Sequence, residues 1–189
     1  MKKLIIILAI SLSLQSCIFI AGAGVGAAAI AVVYDHRKIE KVLQDQKLAN
    51  AASDKIKSIP ELKESSSINI TCFNQIILLT GETTSASLRQ EAYDIVKSVP
   101  GVTHVYNEIA IKGPISSLTR ASDAWITTKI KTQMLATKGL QSSTIKVVTE
   151  NGSVYLMGIV SRHQANMTVE IARQVTGVQR VVKIFQYTD

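Results

Sequence analysis

Two stretches of the chain carry the same pattern at a fixed offset, and this repeat constrains the fold more than any other feature. Ile68-Asn69-Ile70-Thr71 opens a segment that ends at Leu78-Leu79-Thr80-Gly81. Ile145-Lys146-Val147-Val148 opens another that ends at Tyr155-Leu156-Met157-Gly158, 77 positions later at both ends. Pro100-Gly101-Val102 then matches Thr176-Gly177-Val178, and Val105 and Ile109 match Val181 and Phe185, at an offset of 76. One residue has been lost between these points. A chain of 189 residues therefore holds two copies of a unit of about 70 residues.

Each copy reads as a helix, a hairpin, a second helix and a last strand. In the first copy Leu48, Ala52, Ile56 and Ile59 recur at helical spacing. In the second Ile126, Ile130 and Met134 do the same, with Ser122 or Asp123 as the expected N-cap. Ile68, Ile70 and Cys72 alternate with Asn69, Thr71 and Phe73, the period of a strand. Asn151-Gly152 is a hairpin turn, because both residues tolerate positive φ; Asn74-Gln75 stands there in the first copy. The second helices carry apolar faces of Leu88, Ala92, Ile95, Val96 and Val99, then of Ala165, Val169, Ala172 and Val175. Ser161 and Gln164 form a capping-box pattern, and Pro100-Gly101 and Gly177 stop the helices. Val105, Asn107, Ile109 and Ile111 form one last strand; Val181, Lys183, Phe185 and Tyr187 form the other. The predicted fold class is α+β, two tandem αββαβ units, each a two-layer sandwich of two helices on a three-stranded mixed sheet. The first unit is expected over 40–111, a linker over 112–119 and the second unit over 120–189. Cys72, in an apolar strand, reads as a small core residue.

The N-terminus reads as an address. Met1, Lys2 and Lys3 form a positive region, and Leu4 to Leu14 a short apolar one, the layout of a secretory signal over 1–16. Leu14-Gln15-Ser16-Cys17 resembles the bacterial lipobox. That resemblance implies cleavage before Cys17, a diacylglycerol thioether on its sulfur and an acylated amine. Position 18 is Ile rather than the Asp that resembles an inner-membrane retention signal, which favours the outer membrane. An uncleaved anchor over 4–33 is the alternative, since the run is long enough to span a bilayer. Gly and Ala dominate 22–29, however, and 17–39 reads better as a flexible tether after a lipid.

Charge is shared unequally. Residues 40–111 carry 7 basic and 9 acidic side chains, whereas 112–189 carry 10 basic and 4 acidic. The basic second copy suggests an anionic partner. It also holds the only Trp of the chain, Trp125, about 100° around its first helix from Ile126 on the core face. Trp at the boundary of wet and apolar regions is a membrane-interface residue type; spacing alone leaves an interface and a core position both open. Few aromatics, no nucleic-acid motif and the export signal argue against nucleic acid. His36, His104 and His163 are far apart without metal-ligand spacing, and no carboxylate motif pairs up, so neither enzyme, metal nor cofactor is expected.

The paired αββαβ pattern resembles the BON domain. Its marks are Ile76 to Gly81 and Val154 to Gly158 at the hairpin ends, and Gly101 to Val105 and Gly177 to Val181 opening the last strands. With the lipobox, and with Trp125-Ile126-Thr127-Thr128-Lys129, the chain resembles the dual-BON periplasmic lipoproteins over nearly its whole mature length. This resemblance implies a non-enzymatic lipoprotein on the periplasmic face of the outer membrane of a Gram-negative cell, with lipidation at Cys17. It implies binding of anionic phospholipid of the phosphatidylglycerol or cardiolipin type through the first helix of the second unit, at Trp125 with Ile126, Thr128, Lys129, Lys131 and Thr132. Arg120, on the approach to Trp125, joins this set. The family role implied is envelope integrity, with gathering at division sites. An adaptor for an envelope protein or for peptidoglycan is the alternative, because two small sandwiches on a tether suit it equally.

Overall fold

The computed structural model describes residues 39–113 and 115–189; the expected leader over 1–16, Cys17 and the expected tether lie outside the described residues, except that Ile39, the tether's last position, opens a helix. Residues Arg37–Asp189 cluster as one compact body. The first repeat runs α1 (Ile39–Lys57), α2 (Pro60–Ser65), β1 (Ser66–Phe73), β2 (Ile76–Thr83), α3 (Ala86–Lys97), β3 (His104–Asn107) and β4 (Ala110–Ile111). The second runs α4 (Ser117–Ala136), a 3₁₀ turn (Ser142–Thr144), β5 (Ile145–Glu150), β6 (Ser153–Val160), α5 (Arg162–Arg173) and β7 (Arg180–Tyr187). The two tandem α+β units expected from the repeat are both present.

In each repeat the hairpin is antiparallel and the last strand joins it in parallel, so the second strand is central. Helices cover one face of each sheet. Leu48, Ala52 and Ile56 of α1 and Leu88, Ala92 and Val96 of α3 bury against Ile77 and Leu79 of β2. Ile126, Ile130 and Met134 of α4 and Ala165, Val169 and Ala172 of α5 bury against Val154 and Leu156 of β6. Alternate residues of the central strands point the other way, and there the two repeats meet. Phe73 and Leu78 pack with Tyr155, Met157 and Ile184 in a third buried cluster. The result is four layers, α/β/β/α, with the two helix pairs on opposite outer faces. Packed sheets lie about 10 Å apart.

Polar contacts fix this docking. Asn74 Nδ2 donates to Gln186 Oε1 at 2.7 Å, and Lys146 Nζ to the Cys72 carbonyl at 3.3 Å. Arg180 Nη2 donates to Glu108 Oε2 at 2.8 Å and to the Tyr155 hydroxyl at 3.0 Å. The Tyr155 hydroxyl lies 3.4 Å from the same carboxylate.

Three local expectations are corrected. Pro60 breaks the first helix, so α1 ends at Lys57 and Ile59 packs on the core from the junction, as the N-cap of α2. The last strand of the first repeat is not continuous: it opens at Glu108 and Ile109, between β3 and β4, opposite Thr80 and Gly81. Gly81 holds φ +106° there, and a Cβ on it would sit 1.9 Å from the Ser67 carbonyl oxygen, so only glycine fits. Ser161 does cap α5 through the Gln164 amide, but the Gln164 side chain completes no box. It accepts from the Gln141 amide at 2.8 Å and donates to the Gly139 carbonyl at 2.6 Å. Cys72 is buried as expected.

Candidate functional site

Helix α4 begins earlier than its apolar spacing suggests. Ser116, not Ser122 or Asp123, is the N-cap; its hydroxyl accepts the Thr119 amide at 3.1 Å. The reason lies in burial. The turns before Asp123 put nothing into the core, so hydrophobic periodicity gives no sign of them. Asp123 is itself a buried face residue, reaching to the β5–β6 turn.

With Asp123, Ile126, Ile130 and Met134 turned inward, the opposite face of α4 is set by geometry. Leu118, Trp125 and Thr132 are spaced i, i+7, i+14, and Ala121, Thr128 and Leu135 form a second row at the same spacing. Seven residues at 100° each close to within about 20° of two full turns, so each row runs along the helix. Leu118 is 78% exposed, Trp125 53% and Leu135 70%. Together they make an outward apolar stripe about 26 Å long. Thr128 Oγ1 donates to the Ala124 carbonyl and Thr132 Oγ1 to the Thr128 carbonyl, both at 2.9 Å. Their hydroxyls are thus satisfied by the helix itself. Lys129 and Lys131, both exposed, lie on either flank of the stripe, each about 80° from its midline.

The expected site residues therefore divide. Trp125, Thr128 and Thr132 share the stripe, with Lys129 and Lys131 on its borders. Ile126 is 1% exposed and belongs to the core. Arg120 lies about 140° around the helix from Trp125; its guanidinium donates to the Ile115 carbonyl at 3.0 Å and it lines a cleft between the repeats. Sequence reasoning missed Leu118 and Leu135. The signal was their seven-residue spacing from Trp125 and Thr128, hidden because the helix was started after Leu118.

The first repeat does not repeat this stripe position by position, although Ile39 and Leu43 are exposed on α1. Asp45, Leu48, Ala52 and Ile56 match Asp123, Ile126, Ile130 and Met134 at an offset of 78. At that offset Leu118, Trp125 and Leu135 correspond to Glu40, Lys47 and Lys57. Among the described residues no group of three or more His, Cys, Asp or Glu suits a metal ion. No described helix is long and apolar enough to cross a membrane.

Known proteins share much of this sequence. The chain is 33% identical over all 189 residues to "Outer membrane lipoprotein DolP" of Haemophilus influenzae, covering 97% of that protein. It is 36% identical over 148 residues to "21 kDa hemolysin" of Actinobacillus pleuropneumoniae, 78% of this chain and 74% of that one. It is 31% identical over 121 residues to "Osmotically-inducible protein Y" of Escherichia coli K12, 62% of this chain and 60% of that one. The BON domain model matches twice, at residues 44–113 and 122–189. Two matches covering most of the sequence, on two α+β units of the same design, establish that the chain belongs to the BON-domain family.

Proposed function

We propose that this protein is a non-catalytic outer-membrane lipoprotein, anchored through Cys17 and facing the periplasm, that lays α4 on anionic phospholipid. The relative named as an outer membrane lipoprotein, matched over 97% of its length, supports the location. The observation that carries the lipid reading is the exposed Leu118–Trp125–Leu135 stripe between Lys129 and Lys131. An amphipathic helix with an apolar outward face and lysines along its borders suits the headgroup boundary: the stripe enters the acyl edge and the ammoniums meet phosphates. Each lysine near an anionic surface contributes about 1 kcal/mol. That is weak alone, but a lipid anchor already confines the protein to the membrane at high effective concentration. The anchor then sets location and α4 sets preference, for patches of phosphatidylglycerol or cardiolipin. Envelope integrity and a division-site role follow as the use of that preference.

The adaptor reading calls for a concave, apolar-lined groove. The stripe lies on a convex helix, which favours lipid. The deciding experiment is co-sedimentation of residues 37–189 with vesicles of phosphatidylglycerol or cardiolipin against phosphatidylethanolamine, at low and moderate salt, with Trp125 fluorescence. Salt-sensitive binding to the anionic vesicles with a blue shift is expected. No binding and an unmoved spectrum would turn the function toward a protein or peptidoglycan partner.

A further inference from the structure

Beneath α4, between the two repeats, lies a cleft of about 480 Å³. Its walls mix polar and apolar surface and are drawn from both repeats, the polar groups being Ser67, Asn69 and Glu82 from the first and Arg120, Thr127 and Glu150 from the second. Thr127 and Thr149 are tied hydroxyl to hydroxyl at 2.7 Å, and Asn69 Nδ2 donates to Glu150 Oε2 at 2.9 Å. Glu82 is only 3% exposed, yet its Oε1 has no hydrogen-bond partner among the described residues. The Ile115 amide, Lys112 and Arg120 lie near and favour the ionised form, but burial and then Glu150 hold the carboxyl pKa above the ordinary value. A buried carboxyl oxygen without a donor is costly, and such groups in native proteins call for an explanation.

Three things satisfy it: a proton, an ordered water, or a cation that brings its own N–H groups, and of these only the cation also offsets the neighbouring Glu150 charge. A primary ammonium has three donors on one compact charge. Placed between Glu82 and Glu150 it fills the missing hydrogen bond and screens two like charges at once. Arg120 adds a complementary feature, a planar guanidinium with five N–H groups, one of them on the Ile115 carbonyl. Carboxylates beside a guanidinium form the counterpart of a zwitterion that carries an ammonium and a phosphate. Ala124 and Thr128 line the cleft while Thr128 also stands on the α4 stripe, so the cleft opens beside the proposed lipid surface.

We propose that this cleft binds a phosphoethanolamine group, its ammonium between Glu82 and Glu150 and its phosphate at Arg120. The same chemistry arrives from a phosphatidylethanolamine headgroup or from a soluble phosphoethanolamine ester. The site shares only Thr128 with the anionic-lipid stripe and does not depend on that stripe's binding lipid.

The test is an amide-shift titration of residues 37–189 with glycerophosphoethanolamine. Glycerophosphocholine, whose quaternary nitrogen has no N–H, is the control. Saturable shifts at Asn69, Thr127 and Thr149 with the ethanolamine ester are expected, at least about fivefold weaker with the choline ester, a difference near 1 kcal/mol. Glu150→Gln and Glu82→Gln should each weaken binding by about tenfold, and Trp125→Glu should leave it intact. Shifts seen only with phosphatidylethanolamine vesicles identify the headgroup as the source. Equal response to both esters, or none from ester or vesicle, overturns the proposal. Retention of anionic-vesicle binding by Glu150→Gln keeps this outcome apart from that of the stripe.

Discussion

Asp45 and Asp123 hold the same place in the two repeats, and each receives both amides of its hairpin turn. Asp45 Oδ2 accepts the Asn74 amide at 2.8 Å and Oδ1 the Gln75 amide at 2.9 Å. Asp123 Oδ2 accepts the Asn151 amide at 2.7 Å and Oδ1 the Gly152 amide at 2.9 Å. All four turn residues have positive φ, the type I′ geometry that suits the twist of a hairpin. Gln75, at φ +65°, is an unusual occupant of that region. The carboxylate on the first helix thus pins the hairpin to the helix layer and offsets the strain of a turn that lacks glycine.

Asp123→Ala should therefore destabilise the second repeat out of proportion to its size. Two hydrogen bonds to a charged acceptor are lost, and of the two turn amides left unpaired that of Gly152 is buried, for a total of about 3 kcal/mol. Urea unfolding followed by circular dichroism measures it. A loss below about 1 kcal/mol would show that the turn holds itself.

What could be read from the sequence follows from what repeats and what alternates. The αββαβ order was legible because Ile126, Ile130 and Met134, or Ile68, Ile70 and Cys72, state their periods plainly. The sheet-on-sheet contact was not drawn, though its sign was present. Ile76-Ile77-Leu78-Leu79 and Val154-Tyr155-Leu156-Met157 are continuous apolar runs, as a strand buried on both faces requires. The Asp123 contact is not legible in the sequence, because an aspartate before an apolar run looks like a cap and its partner lies 28 residues away. Of the candidate site, the residue types and charges of Trp125, Lys129 and Lys131 could be read, while spacing left Trp125 open between an interface and the core. Leu118 and Leu135 were not, because a stripe that faces solvent obeys no packing rule until the helix and its core face are known.

Tyr155 carries a pH prediction for the joint between the repeats. Burial first, and then the Glu108 carboxylate, push its hydroxyl up to about 12. A phenol whose pKa is raised by folding contributes stability below its unfolded value, near 10, and loses it as pH rises through the folded value. The docked repeats should thus weaken between pH 10 and 12, with one of the five tyrosines titrating late in absorbance at 295 nm. Tyr155→Phe should remove that late step. An unchanged titration would place the late tyrosine elsewhere.

Glu82 gives the same sign in the acid range. Its carboxyl pKa is raised from 4.5, by burial and then by Glu150, so its contribution is full below 4.5 and fades as pH climbs. Glu82→Gln keeps the shape without the charge. Free of that buried charge, the variant should be more stable than the parent at pH 7.5, by about 1 kcal/mol, with the gap closing toward pH 4. Thermal unfolding at several pH values reads this directly. A variant less stable at every pH would mean that the ionised carboxylate has a stabilising partner.

Trp125→Glu is the decisive change on α4. The side chain is 53% exposed, so folding should survive within about 0.5 kcal/mol and the circular-dichroism spectrum should not move. Placing a carboxylate at the middle of the stripe removes the interfacial aromatic and adds repulsion from anionic headgroups, so binding to phosphatidylglycerol vesicles should fall by more than tenfold. Lys129→Gln and Lys131→Gln should each cost about 1 kcal/mol, near fivefold, and should flatten the dependence on salt. Leu118→Ser and Leu135→Ser should weaken binding equally at low and high salt, because they remove apolar area and no charge. If the leucine variants bind as the parent does while the lysine variants fail, α4 meets lipid by charge alone and the stripe does not enter the membrane.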